Sequence, residues 1–140
     1  MIDLDIRKAT QKDKKSVMKL IKDNGLFAPR MRFDDFFVAY RGENLVGVAR
    51  FKTHKQPGVH ELSSVGVKDG WRKCGIGSLI VSKITSKAKN DIYLNTVNPG
   101  FYEKLGFVST EEAPKIIRKN GKHCKGCDRD ACKTMVKKIK

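Results

Sequence analysis

The segment WRKCGIGS at residues 71–78 combines two cations with two glycines that stand one residue apart. Because glycine has no side chain, the backbone of such a loop can come very close to a ligand. An apolar helical pattern follows, and the free N–H groups of a first helical turn attract anions together with the helix dipole. The segment has neither the third glycine of a dinucleotide loop nor the ending of a P-loop. It therefore indicates a diphosphate site, with an ordinary two-glycine turn as the alternative.

A second segment with chemical potential lies near the C-terminus, where Cys124, Cys127 and Cys132 have the spacing C-x₂-C-x₄-C. The N-terminal residues contain no apolar signal segment, so we expect a cytoplasmic location with reduced thiols. Clustered thiols then favour zinc over a disulfide, with unligated thiols or a redox pair as alternatives. Structural zinc takes four ligands, and His123 adjoins Cys124 too closely to share one ion without strain. A partner or three residues elsewhere in the fold are candidates for the fourth ligand: His54, His60 and Cys74.

The charge of the chain is strongly positive, with a net charge of +15 over 140 residues. Such a balance indicates a polyanionic partner, either a phosphorylated cofactor, a nucleic acid or an acidic surface, unless the lysines only keep the protein soluble. Positive charge is concentrated in residues 115–140, which we expect to be the contact surface for any nucleic acid or acidic partner. No apolar run approaches the ~20 residues needed to cross a membrane.

The order of the elements predicts one mixed α/β domain over residues 1–140, with a mostly antiparallel twisted sheet flanked by helices. Residues 120–133 form a Cys-rich insert before the last strand. Thr10 is positioned to cap a helix over residues 11–24, with Val17, Leu20 and Ile21 on one face. A second helix over residues 76–89 has Ile76, Leu79, Ile80 and Ile84 in phase. We expect strands at residues 2–8, 36–41, 45–53, 61–67, 92–97, 107–109 and 134–139, and a short helix at residues 99–105.

Two stretches together, VGVKDGWRKCGIGSLIVSKI at residues 65–84 and NPGFYEKLGF at residues 98–107, resemble the GNAT family of N-acetyltransferases. The resemblance covers residues 2–110 and implies the fold of that family. It also implies that the glycine loop holds the pyrophosphate of acetyl-CoA, with the backbone of Val65 and Val67 bonded to the acetyl and pantetheine groups. Asn98 would bond the cofactor arm or cap the following helix. The residues implied around the pyrophosphate are Arg72, Lys73, Cys74, Gly75, Ile76, Gly77 and Ser78.

The resemblance also implies catalytic roles. Tyr102 occupies the position of the family's general acid, a phenol near the coenzyme sulfur, although a tyrosine here can also simply pack on the sheet. Glu61 stands where related enzymes often have a glutamate that accepts the amine proton through water; the alternative is a solvated residue at a strand start. His60 is a second candidate base because its reference pKa suits the task, and the alternative is an exposed histidine at the end of a strand.

The leading functional hypothesis is therefore transfer of an acetyl group from acetyl-CoA to a primary amine of a small molecule, a protein or an aminoacyl group. Two alternatives use the same scaffold without this chemistry. One is a nucleic-acid-binding module that uses the basic tail, and the other is a metal- or redox-responsive module. The resemblance also leads us to consider a homodimer.

Overall fold

The computed structural model of the protein describes residues 3–26, 32–117 and 132–139. Strands and helices in these ranges follow the order that the sequence predicts. The strands are β1 (Asp5–Lys8), β2 (Phe36–Arg41), β3 (Asn44–His54), β4 (Val59–Val67), β5 (Ile92–Thr96), β6 (Val108–Ser109) and β7 (Lys133–Lys137). The α-helices are α1 (Lys14–Asp23), α2 (Ile76–Lys87) and α3 (Pro99–Glu103), and short 3₁₀ turns occupy Gln11–Asp13, Phe33–Asp35 and Lys115–Ile117.

The strands form one mixed sheet in the order β1-β2-β3-β4-β5-β7-β6. The β1–β2, β2–β3, β5–β7 and β6–β7 pairs are antiparallel, whereas β4 and β5 are parallel. A helical connection is what a parallel pair requires, and α2 supplies it here. The predicted fold class, an α/β protein with a mostly antiparallel sheet flanked by helices, is confirmed. No helix of the described residues is long and apolar enough to cross a membrane.

The chain divides into two compact units, of which the first comprises residues 1–52 and 63–86. Its core forms where the apolar face of α1 packs on the strands. The predicted stripe on α1 is confirmed, because Val17, Leu20 and Ile21 are buried in one cluster with strand residues. The strand residues of this cluster are Phe36, Val38 and Val48.

Helix α2 packs closely on β3 at Gly47. A Cβ at this position would lie 2.5 Å from Ile80 Cδ1 and 3.0 Å from Ile76 Cγ2, so the missing side chain is what lets the helix approach the strand. The prediction that Leu79 shares the buried face is wrong, since 37% of Leu79 is exposed. At about 100° per residue, Leu79 points roughly 120° away from the stripe centred between Ile80 and Ile84.

The start of α1 differs from the prediction because Asp13 is held from outside the helix. Asp13 accepts hydrogen bonds from Arg7 Nη1 (2.9 Å) and Nη2 (3.2 Å), from Tyr40 Oη (2.6 Å) and from the backbone N of Thr10 (2.7 Å). The Arg7 bond holds the pKa of the buried Asp13 far below its usual range. Burial and this carboxylate raise the pKa of Tyr40 to about 12. The predicted helix over residues 11–24 is therefore a 3₁₀ turn followed by an α-helix from Lys14.

The second compact unit comprises residues 53–62 and 87–140. Its core is a cluster of Val59, Tyr93, Ala113, Ile117 and Val136. Asn95 on β5 ties this unit together, because its Nδ2 donates to the Ile117 carbonyl at 2.7 Å and its Oδ1 accepts from Thr134 at 2.5 Å. Most of the Cys-rich insert predicted at residues 120–133 lies outside the described residues.

Candidate functional site

The glycine loop between β4 and α2 has the backbone shape of an anion site. Gly70, Lys73 and Gly75 have φ angles of +90°, +66° and +80°, so the chain turns through the left-handed region three times before the helix begins. The N–H of Leu79 donates to the Gly75 carbonyl at 3.0 Å, which closes the first turn of α2. The N–H groups of Ile76, Gly77 and Ser78 therefore precede the helical ladder and have no acceptor within it. These donors are what a phosphate oxygen binds.

The side chains of this loop take different roles from those that the sequence suggests. Arg72 is tied down, because its Nη2 donates to Asn24 Oδ1 at 2.8 Å and its Nε to the Val67 carbonyl at 3.4 Å. Lys73 and Cys74 are exposed. Ile76 is 1% exposed, so only its backbone is available to a ligand. The loop thus offers backbone donors and the exposed cation of Lys73, while Arg72, which is also exposed, fixes the loop to the end of α1.

Strand β4 is irregular just before the loop. Ser64 has a φ of +50°, which is uncommon for a residue with a side chain and costs on the order of 1–3 kcal/mol. Such a residue within a strand is typical of a bulge, which takes backbone groups out of the ladder. Val65 and Val67, the predicted backbone partners of the coenzyme, are half-buried and follow this irregularity. Strands β4 and β5 are paired at His60↔Ile92 and Glu61↔Tyr93.

Glu61 lies within β4, where it is bonded to a histidine and is still partly exposed to solvent. Its Oε1 is 2.8 Å from Nε2 of His54, the last residue of β3. The side chain of His54 is 7% exposed and that of Glu61 is 26% exposed, so the pair joins an enclosed imidazole to a carboxylate that solvent reaches. The sequence alternative, a glutamate that is only solvated at a strand start, is wrong, because Glu61 is bonded to His54 and β4 begins at Val59. The partner His54 was not predicted for this role.

His60 is buried and faces a different partner. Its Nδ1 is 3.0 Å from Thr53 Oγ1, and burial lowers its pKa below the ordinary value, which keeps the imidazole neutral at pH 7. The expectation of an exposed strand-end histidine is therefore wrong. A neutral histidine can accept a proton, but His60 is 8% exposed, so Glu61 is the more accessible candidate base.

Tyr102 lies on α3 in an aromatic environment. Its ring makes edge contacts with Phe101 and Phe107, at centroid distances of 4.9 and 5.7 Å. Burial raises the pKa of Tyr102 to about 12, so the phenol keeps its proton at physiological pH. Among the described residues no side chain or carbonyl is bonded to the hydroxyl. The packing alternative is correct for the ring, and the hydroxyl remains available as a proton donor.

Asn98 precedes α3, and its side chain does not cap this helix. Its backbone N–H donates to Thr96 Oγ1 at 2.9 Å, and the residue is exposed. The capping alternative is therefore wrong, and no described residue bonds the side-chain amide, so the role that the resemblance implies stays a prediction.

The predicted metal ligands fall mostly outside the described residues. Cys124 and Cys127 lie there, whereas Cys132 is described, buried and without a disulfide. In residues 3–26, 32–117 and 132–139, no group of three or more His, Cys, Asp or Glu side chains is arranged to hold a metal ion. His54 and His60, two candidates for a fourth ligand, are instead bonded to Glu61 and Thr53.

Comparison with known proteins finds relatives by sequence and further relatives by structure. An uncharacterized N-acetyltransferase of Chlorobaculum tepidum is 32% identical over 99 residues, which is 64% of this chain and 61% of that protein. N-acetylglutamate synthase from Neisseria gonorrhoeae, solved with coenzyme A and N-acetyl-glutamate, superposes on all of this chain with a TM-score of 0.80 and 20% identity. A GNAT-family acetyltransferase of Staphylococcus aureus superposes on 99% of the chain with a TM-score of 0.72 and 17% identity.

The length of the match differs among these proteins. The chain spans 61% of the Chlorobaculum protein and 36% of the Neisseria synthase, but all of the Staphylococcus enzyme. At 17–20% identity the superpositions establish the fold alone. The sequence profile of the acetyltransferase (GNAT) family, in contrast, matches residues 5–107. Since this match covers most of the chain, the protein belongs to the GNAT family of acetyltransferases.

Proposed function

We propose that the protein is an N-acetyltransferase that moves the acetyl group of acetyl-CoA to a primary amine. The observation that carries this proposal is the β4–α2 loop, in which three left-handed residues precede a helix whose first N–H groups have no backbone acceptor among the described residues. Family membership supports acetyl-CoA as the ligand of such a loop. The coenzyme A in the Neisseria synthase supports the same choice.

The coenzyme would be held mainly by backbone groups. The N–H groups of Gly75, Ile76, Gly77 and Ser78 would bind the pyrophosphate, with the exposed Lys73 adding charge. Arg72 would act by fixing the loop through Asn24, and Cys74 by its backbone. The pantetheine arm would bond the backbone of Val65 and Val67 and the side-chain amide of Asn98.

Two side chains transfer protons in the proposed reaction, Glu61 as the base and Tyr102 as the acid. Glu61 takes a proton from the ammonium form of the acceptor, and the neutral amine attacks the thioester carbonyl carbon. A new C–N bond forms, and the C–S bond then breaks. Tyr102 gives its proton to the departing thiolate and recovers one from the amide nitrogen. The products are the acetylated amine and free coenzyme A, and Glu61 releases its proton to solvent.

The acceptor that we propose first is the amino group of a free amino acid that carries a further carboxylate. The net charge of +15 favours an anionic acceptor over a polyamine. The Neisseria synthase, which was solved with N-acetyl-glutamate, supports this choice.

The first experiment is calorimetric titration with acetyl-CoA and, separately, with ATP at the same ionic strength. Preferential binding of acetyl-CoA is expected, followed by release of free thiol when L-glutamate, L-lysine or ethanolamine is added. Equal weak binding of both nucleotides would contradict the assignment of the loop. Because Cys74 is exposed, the thiol assay needs a blank that contains the protein alone.

A matched pair of glycine variants tests the loop itself. Gly75 and Gly42 both have positive φ angles, +80° and +60°, and a Cβ at either position would meet nothing within 4 Å. Gly75→Asp places a negative charge at the pyrophosphate and should abolish acetyl-CoA binding. Gly42→Asp carries the same backbone strain at the β2–β3 turn and should bind normally. Equal affinity of the two variants would show that the loop does not bind the coenzyme.

The metal and partner predictions are separate from this chemistry. Zinc binding by Cys124, Cys127 and Cys132 stays a prediction, which elemental analysis of protein purified without added metal would test against Cys-to-Ser variants. A homodimer and a cytoplasmic location also stay predictions. In the described part of the chain, and in the comparisons, no observation favours the nucleic-acid module or the redox module.

A further inference from the structure

We propose that His54 is a positioning residue that fixes the carboxylate of Glu61 for proton transfer. The carrying observation is the 2.8 Å bond between His54 Nε2 and Glu61 Oε1, which joins the end of β3 to β4 within one compact unit. The inference rests on the proposed function, because it assigns a role to the partner of the proposed base.

The direction of this bond follows from the chemistry of the two groups. A carboxylate has no hydrogen to donate, so an ionised Glu61 can only accept and His54 Nε2 must carry the proton. His54 is 7% exposed at its side chain, so the imidazole has little freedom to turn away. A glutamate side chain has three rotatable bonds, and one bond to an enclosed donor selects a single arrangement of them. The histidine therefore orients the carboxylate without contacting the substrate.

The bond leaves Glu61 able to react. It uses Oε1 only, and among the described residues no other side chain is bonded to the carboxylate. The side chain of Glu61 is 26% exposed, so an amine or a water molecule can reach Oε2. In the reaction, Oε2 takes the proton from the ammonium group, which becomes the neutral nucleophile, while Oε1 stays bonded to His54. The proton then leaves to solvent, and the pair returns to its starting state.

The test compares His54→Leu, which removes the donor, with His54→Gln, whose Nε2 can replace it. Turnover is measured with acetyl-CoA and whichever of L-glutamate, L-lysine and ethanolamine the wild-type protein acetylates fastest. We expect His54→Leu to lower kcat at least tenfold while the acetyl-CoA dissociation constant changes less than twofold. His54→Gln should recover most of the loss. If His54→Leu does not fold, His54→Asn serves instead, since its shorter amide cannot reach Glu61.

A double-variant cycle separates positioning from a general structural effect. If His54 acts through Glu61, then His54→Leu should have no further effect on kcat in the Glu61→Gln background. A full tenfold loss in that background, or full activity of His54→Leu in the wild-type background, would overturn the inference. Turnover by the wild-type protein separates the two proposals. If the wild-type protein acetylates none of the three amines, the proposed function and the role of His54 both fail; if it does and the variants match it, only the role of His54 fails.

Discussion

Two carboxylates of this protein, Asp13 and Glu61, are both bonded to a basic side chain, yet they are enclosed to very different degrees. Asp13 is 3% exposed and accepts bonds from Arg7, Tyr40 and Thr10. Within the described residues Glu61 has one hydrogen-bond partner, His54, and its side chain is 26% exposed. Both carboxylate oxygens of Asp13 accept hydrogen bonds, whereas Oε2 of Glu61 has no hydrogen-bond partner among the described residues.

The difference separates a structural carboxylate from a reactive one. A carboxylate whose two oxygens are both hydrogen-bonded cannot take a proton without losing bonds that hold the fold. Its hydrogen bonds therefore stabilise the folded state. An acid with one anchoring bond can exchange a proton and stay in place. The following experiments test this distinction, from the largest expected effect to the smallest.

The largest effect is expected from Asp13→Asn. The change removes the negative charge and leaves Arg7 without its main partner, which costs about 3 kcal/mol by the general behaviour of enclosed charged bonds. Urea unfolding should show this loss while the affinity for acetyl-CoA stays within twofold. A stable Asp13→Asn variant would mean that enclosure does not mark a structural role here.

Glu61→Gln should show the opposite pattern. Loss of a general base typically lowers turnover on the order of 100-fold or more. The amide oxygen of glutamine can still accept from His54, so the unfolding free energy should change by less than about 1 kcal/mol. Steady-state kinetics and urea unfolding on the same sample check both parts. Unchanged kcat would remove Glu61 from the mechanism.

Two tyrosines extend the comparison, because each has a pKa raised to about 12 for a different reason. Burial and the Asp13 bond act on Tyr40, whereas burial alone acts on Tyr102. Tyr40→Phe should therefore cost about 1 kcal/mol of stability and leave kcat intact. Tyr102→Phe should lower kcat about tenfold or more and leave both stability and the acetyl-CoA dissociation constant intact. Equal loss of kcat and of acetyl-CoA affinity in Tyr102→Phe would contradict its role as an acid.

The smallest effect is expected in the pH dependence of the unfolding free energy. The pKa of Asp13 is depressed in the folded state, so its contribution is present above its unfolded pKa of about 4 and is lost as the pH falls. The stability difference between the wild-type protein and Asp13→Asn should therefore narrow by about 1 kcal/mol between pH 5 and pH 3. Urea midpoints at both pH values measure it, and a constant difference would assign the acid sensitivity to other groups.

Much of the fold could be predicted because its signals are local. The apolar stripe of α1 and the turn between β2 and β3 each depend on the residue types of one short stretch of sequence. The irregular start of α1 could not be predicted, since it depends on Arg7 and Tyr40, which reach Asp13 from separate strands. Leu79 was misplaced because the apolar spacing of α2 permits two overlapping stripes, and only the packing at Gly47 selects between them.

The candidate site also combines features that local sequence signals predict with features that they do not. The glycine loop was identifiable because its shape depends on residue types within one short segment. The His54–Glu61 pair was missed, although Pro57 and Gly58 between them are a turn signal that makes residues 54 and 61 neighbours on a hairpin. Reading that turn as a hairpin would have predicted the contact, but no pattern in the sequence gives the orientation of Arg72 toward Asn24.

The close packing at Gly47 has a consequence for how this protein can change. The N-terminus of α2 is seated on the backbone of β3, so the residue type at position 47 sets the height of the helix above the strand. A larger residue at position 47 would push α2 away from β3 and would thereby shift the amides of the loop, without altering any residue of the loop. If the loop binds the coenzyme as proposed, a substitution at the buried position 47 would change the affinity for the coenzyme without altering the sequence of the loop.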